Sequence, residues 1–456
     1  MARLSRAVAG RPPAPVRIVH LGLGNFVRAH LAWYTEHSPD AAGWGIAAFT
    51  GRSPGAAEAL APQDGLYTLI TRAPAGDELE VVSSLSAVHP GGDHDSWLAY
   101  WRSPAIAIVS LTVTEGGYLR NPDGGLDLAH PAVAADLAAL RADLLAPVHT
   151  APARLVAGMA ARRAAGAGPL TVLPCDNLSS GGAVAARVVA DLAAAVDPSL
   201  PAWVEANVGF ATCIVDRITP GTTDADRAAV LAATGLTDAA PVQTEPFSEW
   251  VVAGGFPAGR PRWDDAGVRF VADVGPFEQR KLALLNGAHS LLAYAGTTLG
   301  HECVVDAIGD PRCRAWVEQW WDEAVRHLPL PAEDLDAYRA ALLARFGNPR
   351  MRDALARIAA DGSAKLPIRI VPTLRSERAQ GRVPTGACRV VAAWAVHLRR
   401  GTAVSDVRPE LVAGLATGSL ADTVAGVLGH LGADLAADPA VVEAVLACAT
   451  ELESAA

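Results

Sequence analysis

Residues 16–26 read VRIVHLGLGNF. Residues 16–20 are short and rich in β-branched side chains, which favours a strand. Gly22-Leu23-Gly24 follows as a tight turn, and residues 26–38 carry a helical pattern. A strand, a Gly-x-Gly turn and a helix in that order form the context of a dinucleotide site. The first glycine permits the turn, the second lets a pyrophosphate approach the backbone, and the helix N-terminus faces the phosphate charge. Val27 stands where the usual third glycine would be. A bare Gly-x-Gly is common, so the flanking elements carry the reading. Gly22, Gly24, Asn25 and Phe26 are the candidate cofactor contacts.

Outward from this stretch, strands and helices alternate. Strands are expected at 44–50, 105–113, 170–174, 208–215 and 268–274, with an inserted hairpin at 66–72 and 79–85. Helices are expected at 131–145, 151–165 and 182–196. The apolar run at 105–113 is typical of a strand buried on both faces. This alternation predicts an α/β fold: a Rossmann-type, doubly wound parallel sheet. Beyond Pro276 strand signals almost vanish. Helical stretches take over at 276–299, 310–327, 332–346, 349–360, 384–399 and 438–454, the last opened by an Asp438-Pro439 cap. The expected division is a dinucleotide-binding domain at 1–275 and a mainly α-helical substrate and catalytic domain at 276–456.

After the second strand the chain reads Phe49-Thr50-Gly51-Arg52-Ser53, with no acid before Glu58. An acidic residue there would bind the ribose 2′-hydroxyl, whereas an arginine tolerates a 2′-phosphate. NAD is the expected cofactor and NADP remains open. Arg52 is either a cofactor contact or a solvated loop residue.

The 456 residues include 51% hydrophobic and 19% charged side chains, with a net charge of −10. That is a globular composition long enough for two cores. Positive charge gathers into no stripe, so nucleic acid is an unexpected partner. No apolar run reaches the roughly 18 residues of a membrane span, and the arginine-bearing N-terminus lacks the apolar stretch of a signal peptide. A cytoplasmic location is expected. The cysteines at 175, 213, 303, 313, 388 and 448 stand singly, which fits reduced thiols and no zinc knuckle.

Among the 38 basic residues only Lys281 and Lys365 are lysines. Arginine cannot accept a proton near neutral pH, whereas a lysine with a depressed pKa can. Codon bias alone could also leave two lysines. No H-E-x-x-H occurs and His301-Glu302-Cys303 is isolated, so no metal site is expected. None of the six tyrosines is followed four residues later by lysine, which removes the Tyr-x-x-x-Lys arrangement.

Seven segments, in order, resemble the mannitol dehydrogenase family of long-chain polyol dehydrogenases. They are IVHLGLGNFVRAHLAWYTE (18–36), LTVTEGGY (111–118), CDNL (175–178), VDRITP (215–220), EPFSEWVV (245–252), KLALLNGAHS (281–290) and DGSAKLP (361–367). The resemblance spans nearly the whole chain. It implies a Rossmann-type domain, a helical domain and an active site between them. It also implies a metal-independent hydride transfer between a nicotinamide cofactor and a polyol/ketose pair, D-mannitol/D-fructose first. By the same likeness Lys281 matches the general acid/base. Asn177 and Asn286 match the amides that polarise the reacting oxygen, and Glu115 a carboxylate that passes the proton to solvent. His289, Asp216, Arg357 and Lys365 match groups near the substrate. The family's relatives of this length are often monomers.

The chemistry is self-consistent. On an α-helix, Lys281, Asn286 and His289 would spread over an arc of roughly 140° and rise about 12 Å, within reach of one sugar. A neutral lysine would take the alcohol proton, and two amides would stabilise the alkoxide. Blander roles remain open. His289 could be a satisfied helix residue, Asn177 a cap, Asp216-Arg217 an interdomain ion pair, and Arg357 and Lys365 anchors of the helical domain. Departures from the family pattern are Val27, Gly181-Gly182 and the somewhat short chain. Arg369 could grip a carboxylate bidentately or face water. A hexuronate reductase, a mannitol-1-phosphate dehydrogenase and a non-catalytic nucleotide-binding sensor are the alternatives. The retained Lys281 and both asparagines argue against the sensor.

Overall fold

The computed structural model describes residues 2–401 and 405–455. Their contacts divide the chain into two units, Met1–Val274 and Gly275–Ala456. In the first unit six strands form one parallel sheet. They are β1 (Val16–Leu21), β2 (Gly45–Phe49), β3 (Leu85–His89), β4 (Ile108–Leu111), β5 (Leu170–Pro174) and β6 (Val208–Phe210). Their spatial order is β3-β2-β1-β4-β5-β6. This is the dinucleotide-binding order, with its switch point between β1 and β4. The expected fold class is the one observed.

Successive strand residues feed opposite faces. Val109 and Leu111 of β4 join one apolar cluster and Ile108 the other; β1 divides Val19 and Leu21 from Ile18 in the same way. Both faces are covered, which explains the unbroken apolar run. One helix glycine also has a packing reason. In the helix Ala151–Ala165, capped by Thr150 and closed by Gly166 at φ 60°, a Cβ on Gly158 would lie 2.3 Å from the Trp101 ring. Small helix residues make room for a few large indoles.

Several expected boundaries are corrected. The helix at 26–38 is two helices, α1 (Asn25–Ala29) and α2 (Leu31–Glu36), broken where His30 adopts φ −123° and ψ −91°. The single strand at 208–215 is two. After β6 the chain leaves the sheet at Ala211, and β7 (Thr212–Asp216) pairs antiparallel with β8 (Glu249–Ala253) instead. The strand at 268–274 shrinks to Arg269–Phe270. The hairpin exists as Tyr67–Ala73 and Gly76–Val82, extended by Val242–Thr244 into a separate sheet.

The second unit is helical; among its described residues the only β-pairing is an isolated bridge between Cys303 and Ala354. Helices at Ala332–Phe346, Thr385–Arg399 and Pro439–Ala455 fall where expected. The helix at 349–360 contracts to Leu355–Ala359. Helices Gly362–Arg369, Val371–Ala379 and Leu420–Leu431 were not legible in the sequence, because Pro367 and Pro372 interrupt the first two. No described helix is long and apolar enough to cross a membrane.

Candidate active site

The glycine turn after β1 is built by the fold itself. Gly22 sits at φ +111°, and a Cβ there would lie 2.0 Å from the Thr112 carbonyl oxygen. Its N–H and that of Leu23 both donate to the Phe49 carbonyl at 2.9 Å. Gly24 differs. It is extended, at φ −131°, and its nearest neighbour for a Cβ is 3.8 Å away. The protein's own packing does not require a glycine there, whereas a phosphate approaching the backbone does. The turn therefore fits a dinucleotide.

Arg28, which the sequence reading missed, fixes this turn from below. Its buried guanidinium donates to the Gly24 carbonyl (3.1 Å), the Asn25 side-chain oxygen (2.6 Å) and the Ala240 carbonyl. Burial lowers its pKa to about 10, so it stays charged. The Asn25 amide donates onward to the Pro220 carbonyl (3.1 Å) and Thr222 (3.3 Å); its side chain ties down a loop. Phe26 stacks on His30 at 5.0 Å. Arg52 is exposed on the turn after β2.

The ends of β4 and β5 carry the next group. Glu115 lies in a short 3-10 turn, Glu115–Tyr118, with its side chain 68% exposed and 3.2 Å from Arg120. Such exposure suits exchange with water and gives the ion pair little energy. Asn177 follows β5 and is exposed. Between them stands Asp176, buried, accepting from the Val113 N–H and the Tyr118 hydroxyl. It joins the two loops. Burial pushes its pKa up to about 7, against those two hydrogen bonds. A carboxyl whose folded pKa is raised binds more protons folded than unfolded, so its stabilising contribution is lost as pH rises from about 4 to about 7. Asp176→Asn is expected to flatten this slope. Urea midpoints at pH 5 and pH 7.5 should show the variant gaining on the parent by up to a few kcal/mol at the higher pH; parallel shifts at both pH values would refute the assignment.

Asp216 ends β7 and is buried. Its neighbour Arg217 donates to the Glu245 and Ala29 carbonyls and lies over the Trp33 ring at 4.5 Å. Those partners all belong to the first unit.

In the second unit Lys281, Asn286 and His289 fall on one continuous helix, but not an α-helix throughout. Residues Lys281–Asn286 form a π-helical segment, and the Gly287 N–H reaches the Leu282 carbonyl five residues back. This corrects the 140° arc. The wider π turn advances less per residue than an α turn, so Asn286 lies closer in angle to Lys281 than the roughly 140° of an α register. Within 281–290 only Lys281, Leu282, Asn286 and His289 are not buried. The His289 ring packs on Phe346 at 4.9 Å. Arg369 lies alongside, with Nη1 donating to the Asn286 carbonyl (3.3 Å) and Ser290 Oγ (3.2 Å).

Lys365 and Arg357 both bond to groups of the second unit. Lys365 Nζ donates to the Ile358 and Ala360 carbonyls at 3.3 and 2.6 Å, and burial lowers its pKa. Arg357 pairs with Asp353 at 2.6 Å in an exposed position. His301, Asp310 and Cys313 approach within 4.8 Å of one another. Asp310, however, takes the Arg312 guanidinium and backbone N–H as cap of the helix Pro311–Ala324, and Arg312 holds its pKa well below the carboxylate range.

Comparison with known proteins gives two family matches. The mannitol dehydrogenase Rossmann domain matches residues 16–265, and the mannitol dehydrogenase C-terminal domain matches residues 273–452. D-arabinitol 4-dehydrogenase of Ralstonia nicotianae is 39% identical over 97% of each chain. D-mannonate oxidoreductase of Escherichia coli is 38% identical over 87% of this chain and 83% of its own. The solved ternary complex of Pseudomonas fluorescens mannitol 2-dehydrogenase with NAD and D-mannitol superposes with a TM-score of 0.80. It is 35% identical, over 96% of this chain and 92% of that one.

Proposed function

The chain belongs to the mannitol dehydrogenase family, and from that membership we propose that it interconverts D-mannitol and D-fructose with Lys281 as the general acid/base. At a coarser level it is an NAD(P)-dependent oxidoreductase acting on CH–OH groups of polyols or related sugars. The observation that carries the finer reading is the partly exposed trio Lys281, Asn286 and His289 on a stretch of helix otherwise buried except at Leu282.

The nicotinamide, when bound, supplies the hydride acceptor for alcohol oxidation. Gly22, Gly24 and the start of α1 would hold its pyrophosphate. Arg52 would lie toward the ribose and accommodate NADP as well as NAD. Neutral Lys281 takes the proton of the substrate hydroxyl at Nζ, and protonated Lys281 returns it in ketose reduction. Asn286 donates its amide to the developing alkoxide, and Asn177 is assigned the second such donor. An oxygen held by preorganised donors is stabilised most as its charge grows. Glu115, exposed to water, passes the proton on. His289 and Asp216 are assigned to substrate hydroxyls. Arg357 and Lys365 are assigned a supporting part near the substrate, because Lys365 holds two backbone carbonyls and Arg357 holds Asp353.

One observation favours a second reading. Arg369 is half-buried beside Asn286 and Ser290, and a guanidinium there suits a carboxylate. The substrate would then be a hexonate, its ketose partner a hexuronate. The deciding experiment follows NADH and NADPH oxidation separately with D-fructose, D-xylulose, D-fructuronate, D-tagaturonate and fructose 6-phosphate. Turnover of D-fructose, unaffected by Arg369→Leu, is the expected result. Turnover confined to the uronates, and lost in Arg369→Leu, would replace it with the second reading. Preference for D-xylulose would keep the mechanism and change the polyol.

A further inference from the structure

The π-helical segment needs an explanation, because a stretch of six residues in that register is rare and costs hydrogen-bond geometry. With the Gly287 N–H bonded to Leu282, it is withdrawn from the Ala283 carbonyl, its α-helical partner. The donors that replace it come from one other helix, Pro311–Ala324. Trp320 Nε1 donates to the Ala283 carbonyl and Trp321 Nε1 to the Leu284 carbonyl, each at 2.9 Å. Both indoles are fully buried. Two adjacent side chains thus reach two consecutive carbonyls inside the segment that begins at Lys281 and ends at Asn286. Gly287 makes the approach possible, since a Cβ there would lie 2.7 Å from Trp320 Nε1.

We propose that Trp320 and Trp321 are positioning residues for catalysis: their indole N–H groups hold the π turn that brings Asn286 toward the side of the helix that carries Lys281. The proposal rests on the reading of Lys281 as acid/base and Asn286 as oxygen-polarising amide. In an α register the two would sit about 140° apart, on different sides of the helix. Without donors for the two carbonyls the segment relaxes toward that register, because the Gly287 N–H can return to Ala283. Neither tryptophan touches substrate in this account. They act through the helix that presents the two groups.

The test compares Trp320→Phe and Trp321→Phe, which remove the N–H donor but keep an aromatic ring and leave a small cavity in the core, with Gly287→Ala, which keeps both indoles and crowds Trp320 off its carbonyl. Each is expected to lower kcat by about 10–100-fold, the scale of an ångström-size misplacement of reacting groups. The KM for the cofactor should stay within about twofold, and the limb of the kcat–pH profile set by the base should move, since Lys281 changes surroundings. A role in packing alone would lower Tm and leave kcat and the pH profile of the folded enzyme unchanged; that result overturns the proposal. So does a Gly287→Ala enzyme of parental kcat if the phenylalanine variants do not fold. Lys281→Ala, assayed alongside, separates the two levels. Its retention of turnover sinks the acid/base reading itself, whereas its inactivity beside fully active tryptophan variants sinks only this inference.

Discussion

Lys281→Ala is expected to lower kcat/KM by about 10²–10⁴-fold, the usual contribution of a positioned acid/base group, while cofactor affinity and the unfolding midpoint change little. Lys281 is half-buried, so truncation removes few core contacts. Lys281→Arg is the sharper control. It keeps a positive charge and a long stem, but a guanidinium does not give up its proton near neutral pH. The arginine variant should be as inactive as the alanine one if the group works by proton transfer. An arginine variant close to parental activity would mean that residue 281 acts only as a charge. A small primary amine added to Lys281→Ala should restore part of the rate, with a pH dependence that follows the added amine's pKa.

The two glycines of the turn should separate fold from ligand. Gly22→Ala must place a Cβ against the Thr112 carbonyl and keep φ near +111°. The backbone strain alone costs about 1–3 kcal/mol, and the overlap with a strand-end carbonyl adds to it. This variant is expected to unfold at markedly lower urea, or to fail to accumulate. Gly24→Ala has ordinary extended backbone, and its new methyl meets nothing closer than an ordinary 3.8 Å contact. It should unfold like the parent and yet bind NADH at least about tenfold more weakly, because the methyl stands where the pyrophosphate meets the chain. Titration of NADH by fluorescence, run beside urea unfolding, reads both effects. Equal NADH affinity in Gly24→Ala and the parent would place the pyrophosphate elsewhere.

Much of the first unit was legible because its signals are local. A β-branched run followed by Gly22-Leu23-Gly24 admits few structures, and the apolar run through β4 follows from burial on both faces. The breaks were less legible. Nothing between Asn25 and Glu36 marks His30 as the point where the helix divides; the buried ring lies 3.2 Å from the Glu249 carbonyl, far along the chain. Ala211 likewise ends one sheet and starts another because β7 finds β8, not because of its own preference. Arg28 and Asp176 were passed over although both lie inside segments singled out for other residues. Type alone does not tell a surface arginine from one that braces a turn.

Local patterns along the chain were enough for the α/β architecture, the glycine turn, the scarcity of lysine and the order of the groups that match the family. Long-range packing set the π register of the segment from Lys281 to Asn286. Hydrophobic periodicity reports an average helical repeat and cannot show a shift of one residue within it. That shift is set by two indole donors 37 residues away in the chain and by a glycine that admits them. Tertiary structure also decided the protonation of Asp176, since a carboxyl's pKa depends on the water and charge that folding removes or brings near.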